Sequence, residues 1–125
     1  MRLLLDTHTV LWWLSDDVRL SRVARSAIAA ASNRLVASAV VGYEIAYKQN
    51  QGRLPPLPAS LRDRLAREGV EILPISLDHA LAAAALPGPH RDPWDRIMMA
   101  QAHIDALTVV TVDPVFAAYG VPVIW

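Results

Sequence analysis

Five short runs along this chain read as strands that are apolar on both faces: Leu3–Leu5 ("LLL"), Arg34–Ser38 ("RLVAS"), Val70–Ile75 ("VEILPI"), Leu107–Val112 ("LTVVTV") and Val121–Trp125 ("VPVIW"). A strand with two apolar faces must be covered on both sides, which is the situation of a parallel sheet lying between helices. Helical patterns separate the runs, as that arrangement requires. "THTVLWWL" turns Val10, Leu11 and Leu14 inward. Ser21 can cap a helix from Arg22 to Ala31 that Asn33 ends, and Ser38 can cap "AVVGYEIAYKQNQ", with Gly52 as its stop. After the proline-broken "LPPLP" (Leu54–Pro58) come a helix Leu61–Glu68 stopped by Gly69, the Ser76-capped "LDHALAAAAL", the loop "PGPHR", the helix of "DPWDRIMMAQA" and the short helix "DPVFAAY". No repeat or linker divides the chain, so residues 1–125 are expected to form a single α/β domain.

Composition narrows the function. The 54% hydrophobic content supports a core, and the absence of cysteine excludes disulfides and thiolate metal sites. Asp6 and His8 interrupt the apolar opening, and nothing approaches the ~20 apolar residues of a membrane span. A cytoplasmic protein is expected, without a membrane partner. Twelve acidic and twelve basic residues cancel, so nucleic acid would have to be held by local patches. Eleven of the basic residues are arginine, and Lys48 is the only lysine.

The acids fall at informative places. Ligands of open parallel sheets bind beyond the carboxyl ends of the strands, and there stand Asp6, after "LLL", and Asp113, after "VVTV". Each could instead cap the helix that follows. Pro114 makes that reading credible for Asp113, whereas "THT" offers Asp6's helix other caps. In "DPWD", Asp92 suits a helix cap with Pro93 at the first helical position. Asp95 is then too short for the reach-back of a capping box, so the helix does not account for it. Glu44 lies among Val40, Val41, Ile45 and Ala46, either on a solvated stripe or held inward. Clustered carboxylates need a cation, and an all-oxygen donor set suits Mg²⁺ or Mn²⁺. His8, His79, His90 and His103 have no zinc-site spacing; His8 could border the acids or be an ordinary histidine.

With "LLLDTHTVLWWL", "SAVVGYEIAYKQNQGRL", "HRDPWDRIMMAQA" and "LTVVTVDPVFAAYGVPVIW" in this order, nearly the whole chain resembles a PIN-domain ribonuclease of the VapC-like toxin type. The resemblance implies a PIN-like three-layer sandwich, with a central, mainly parallel sheet flanked by helices. It implies metal-dependent endonucleolysis of RNA, with Mg²⁺ or Mn²⁺ held chiefly by Asp6 and Asp95, and with Glu44 and Asp113 completing the site. Asp92 becomes a cap or a supporting acid, and Thr7 and Thr111 supporting hydroxyls. Arg53, Arg91 and Arg96 are candidates for gripping the RNA backbone. Similar proteins form homodimers and are inhibited by a VapB-like antitoxin, for which Trp12, Trp13 and Leu54–Pro58 are candidate contacts. The rival reading is a PIN-like module that binds RNA or protein without cutting. A phosphotransfer receiver lacks its late lysine here, and a haloacid-dehalogenase phosphatase lacks its second aspartate, since His8 stands there.

Overall fold

A computed structural model describes residues 1–125. In chain order the elements are β1 (Arg2–Leu5), α1 (Thr7–Leu14), α2 (Arg22–Ala29), β2 (Arg34–Ser38), α3 (Ala39–Asn50) and α4 (Leu61–Arg67). There follow β3 (Glu71–Leu73), α5 (Leu77–Ala85), α6 (Pro93–Ile104), β4 (Thr108–Val110), α7 (Val115–Ala118) and β5 (Val123–Ile124). The strands form one sheet in the order β3-β2-β1-β4-β5, and every pairing is parallel. The expected "mainly parallel" sheet is thus wholly parallel.

The covering of both faces is visible in β1. Leu3, Leu4 and Leu5 point alternately to opposite sides, and all three are 0% exposed. Helices therefore bury both faces, and the three-layer arrangement follows. Val36, Val109 and Val110 continue this core on the neighbouring strands, and Met98, Met99 and Ala102 of α6 pack into it.

Local chemistry sets the element ends. Ser21, Ser38 and Ser76 cap α2, α3 and α5 as expected, each accepting a backbone N–H of the first turn, and Ser60 does the same for α4. Gly52 and Gly69 close α3 and α4 with φ of 71° and 70°, in the region that favours glycine. Some elements are shorter than the pattern predicts. The backbone turns extended at Ala30, which ends α2 before Ala31. The ladder of β4 closes at Val110, not Val112, and α7 starts at Val115, one turn long, with Pro114 rather than Asp113 in the cap position.

One polar pair ties α5 to α6. The Ser76 N–H donates to His79 Nδ1, so the proton of the neutral ring sits on Nε2, which donates to Asp105 at 2.7 Å. His79 is structural.

The strand order locates the site. From the central β1 the chain moves outward to β2 and β3, then returns to β4 on the other side of β1. Leu5 pairs with Val110 at the carboxyl ends of the two strands. This is the topological switch point, the crevice where doubly wound sheets bind ligands.

Candidate metal centre

Asp6 leaves β1 directly into that crevice. It caps α1 after all: Oδ1 accepts the Thr9 N–H at 2.8 Å, which corrects the expectation that the threonines would serve instead. Capping occupies only one oxygen. Oδ2 accepts the hydroxyl of Thr111 at 2.5 Å, and the same hydroxyl accepts the Asp113 N–H at 3.0 Å. Thr111 thus fixes the spacing of two acids that begin more than a hundred residues apart in sequence.

Glu44 is held inward. It is 8% exposed, Oε1 accepts the Thr7 hydroxyl at 2.7 Å, and Oε2 pairs with Lys48 Nζ at 2.6 Å. The open choice between a solvated stripe and a buried role is therefore settled by partners. Thr7 comes from α1, and Lys48 lies one turn further along α3. A buried carboxylate needs such partners, because an unpaired one would carry a large desolvation cost.

Asp92 caps α6 as the sequence suggests, and Asp95 does not. Asp92 Oδ1 accepts the N–H groups of Trp94 at 2.9 Å and Asp95 at 3.3 Å, with Pro93 at the head of α6. Asp95 makes no capping bond; its Oδ2 lies 2.9 Å from His90 Nε2. Burial pushes the Asp95 carboxyl up to about 6, with the charges of Asp92 and Asp113 adding to the shift, although His90 pulls the other way. His90 shields only one side of the group, so burial prevails. A carboxylic acid raised by burial and by like charges in a cleft is a mark of functional sites.

These groups line one cavity of ≈160 Å³, walled by Asp6, Glu44, Asp92, Asp95 and Asp113 together with Thr7, His8, Lys48 and Met98. Asp113 is exposed at its rim, and its Oδ1 accepts the Val115 N–H at 2.9 Å, which supplies the local reason for its position. The five acids offer only oxygen donors, which suit Mg²⁺ or Mn²⁺. The side chains are not drawn into a closed cage, since no three of them converge to ligating distance. Yet each hydrogen-bonded carboxylate oxygen of Asp6, Glu44, Asp95 and Asp113 keeps a further lone pair, and neither Asp95 Oδ1 nor Asp113 Oδ2 has a protein partner. The donor set fits a hard divalent cation.

Two residues of this site escape the sequence pattern. Lys48 could have been found, being four residues from Glu44 on a helix. His90 could not, because the fold of the "PGPHR" loop is what brings it to Asp95. That loop is held by Tyr119, whose hydroxyl accepts the His90 N–H at 3.2 Å, and by Arg96. The Arg96 guanidinium donates to the carbonyls of Ala83, Leu86 and His90. Arg96 is therefore a clamp on the α5–α6 connection and is withdrawn from the phosphate-gripping candidates. The Arg53 guanidinium bonds only Gln51, at 3.1 Å, and Arg91 is exposed beside Asp92. Trp12 and Trp13 are both half-buried against the core.

Comparison with known proteins places this arrangement. Residues 3–122 match the family model of the PIN domain. Ribonuclease VapC22 of Mycobacterium tuberculosis is 33% identical over 112 residues, covering 88% of this chain and 85% of that protein. Among solved structures, VapBC2 from Rickettsia felis bound to a promoter DNA fragment superposes with a TM-score of 0.69 at 18% identity, covering 98% of this chain and 97% of that one. A toxin–antitoxin complex from Klebsiella pneumoniae gives 0.62 at 24% identity, covering 90% and 87%. The two structures share the fold.

Proposed function

This chain belongs to the PIN-domain family, and from that premise we propose that it is a Mg²⁺- or Mn²⁺-dependent endoribonuclease, the toxin of a toxin–antitoxin pair. The observation that carries the reading is the convergence of acids from β1, α3, α6 and the β4–α7 turn on one small cavity at the switch point. Asp6 and Asp95 would be the principal ligands, with Glu44 and Asp113 completing the set. The similarity to a protein named as a ribonuclease supports RNA as the substrate. When bound, the ion supplies Lewis acidity and a water of lowered pKa for hydrolysis of a phosphodiester.

The chain's own residues do the rest. Thr7 and Thr111 aim the carboxylates of Glu44 and Asp6, and Lys48 offsets the charge of Glu44. His90 stands beside Asp95 and orients it. Arg91, whose neighbour Asp92 lines the cavity, and Arg53, beyond the end of α3, would contact phosphates. Asp92 adds negative charge to the wall while capping α6.

The wider reading is a single PIN domain over 1–125, acting in the cytoplasm as a homodimer under control of a VapB-like antitoxin. The single core cluster and the reach of the family match support one domain. No helix is long and apolar enough to cross a membrane. Toxin–antitoxin assemblies among the structural neighbours support the antitoxin, and Trp12, Trp13 and Leu54–Pro58 remain the contacts assigned to it. Digestion of total RNA by the purified chain tests the proposal. Cutting is expected with Mg²⁺ or Mn²⁺ and none in EDTA; RNA that stays intact with every metal would instead indicate a binding module.

A further inference from the structure

A second concavity, a groove of ≈310 Å³, runs along α1 beside the acid cavity, and His8 stands in the wall of both. Its lining is a row of flat groups. The exposed His8 ring stacks on Trp12, with centroids 5.4 Å apart and planes within 19°. Trp12 is backed by Trp125 at 5.9 Å, and the Arg19 guanidinium lies 5.0 Å from the indole centroid. Asp17 holds that guanidinium through two hydrogen bonds of 3.0 and 2.7 Å. The opposite wall is Leu54, Pro55 and Leu57, with Gln49 at its edge.

From this geometry we infer that the groove is the subsite for an RNA base next to the scissile phosphate, an inference that rests on the ribonuclease reading. The two spaces adjoin at His8, so a strand that lies along the groove brings a phosphate to the carboxylates beside that ring. Single-stranded RNA is recognised by stacking its unpaired bases on aromatic rings and guanidinium planes, and the His8–Trp12–Arg19 row is a surface of that type. Charge agrees. The one acid of the groove, Asp17, is already paired with Arg19, so a neutral base can lie there while the phosphate sits at the metal. Gln49 and Ser15 offer hydrogen-bond partners to a base edge. The antitoxin contacts proposed at Trp12 and Leu54–Pro58 overlap this groove, so a bound antitoxin would exclude the base.

Because His8 is exposed, it can be changed without emptying the core. The test uses a short single-stranded RNA spanning a cut site found in the total-RNA digest, together with two versions abasic on the 5′ or 3′ side of the cut. His8→Ala should lower kcat/KM about tenfold on the intact RNA, mainly through KM. It should make no difference on one of the two abasic RNAs, whose own loss equals that of His8→Ala. His8→Phe should cut like wild type. The inference is overturned if His8→Ala cuts normally, which leaves the groove to a protein segment. An equal loss on all three RNAs, or failure of His8→Phe to restore cutting, also overturns it by showing that His8 acts through structure or charge. If wild type cuts no RNA with any metal, the ribonuclease reading falls and this one with it; normal cutting that is blind to His8 removes this one alone.

Discussion

Replacing Asp95 by asparagine should make the metal-free protein more stable. The ionised form of Asp95 is disfavoured in the fold, first by burial and then by Asp92 and Asp113, so its carboxyl rises from 3.8 to about 6. A carboxyl raised on folding imposes no penalty below about 4. The penalty grows between 4 and 6 and is complete above 6. About two pK units at ~1.4 kcal/mol each give a ceiling of about 3 kcal/mol. The side chain is still 19% exposed, and screening reduces the figure to about 1–2 kcal/mol. For a chain of this length that corresponds to a rise in Tm of about 4–8 °C. The assay is thermal unfolding of wild type and Asp95→Asn in EDTA at pH 7.5 and at pH 4.5. The gain should be present at pH 7.5 and mostly gone at pH 4.5, and Mg²⁺ or Mn²⁺ should raise the Tm of wild type only. An asparagine variant less stable than wild type at pH 7.5 would refute the reasoning, because His90 would then be stabilising the carboxylate more than burial opposes it.

Three further outcomes are expected. Arg96→Ala should lower Tm by about 10 °C, since three carbonyls lose a charged donor at a net cost of about 3 kcal/mol; Arg96→Lys should recover little, because an ammonium cannot reproduce the fork. Gly88→Ala should destabilise the α5–α6 loop and reduce cutting, as its φ is 91° and an added Cβ would lie 2.6 Å from the Tyr119 hydroxyl that holds His90; thermal unfolding and the RNA assay measure both effects. Metal affinity, followed by calorimetric titration with Mn²⁺, should fall about tenfold per pH unit below about 6 and level off above it, because the Asp95 proton competes with the ion.

The strands, the serine caps and the stops at Gly52 and Gly69 were legible because each rests on neighbours in sequence. So was the choice of Asp92 over Asp95 as the capping acid, which turns on the reach of one side chain. The depth of Glu44 was not legible, for its burial depends on a hydroxyl from α1. His90 and Arg96 were invisible or misread for the same reason. Arg96 looks like a free cation on a helix, and only the return of the α5–α6 loop supplies the carbonyls that occupy it. Asp6 shows a different limit. Capping and site duty were treated as alternatives, whereas a carboxylate has two oxygens and this one uses them separately.

The central claim, that Asp95 is a carboxylate of a metal-dependent cutting centre while Asp92 chiefly caps the helix, is tested most directly by RNA cleavage with Mn²⁺. Wild type, Asp92→Asn and Asp95→Asn are compared side by side. Asp95→Asn is expected to lose about a hundredfold or more, while Asp92→Asn stays within about tenfold of wild type because asparagine also caps helices well. Cutting by Asp95→Asn at the wild-type rate, or a dead Asp92→Asn beside an active Asp95→Asn, would contradict the account.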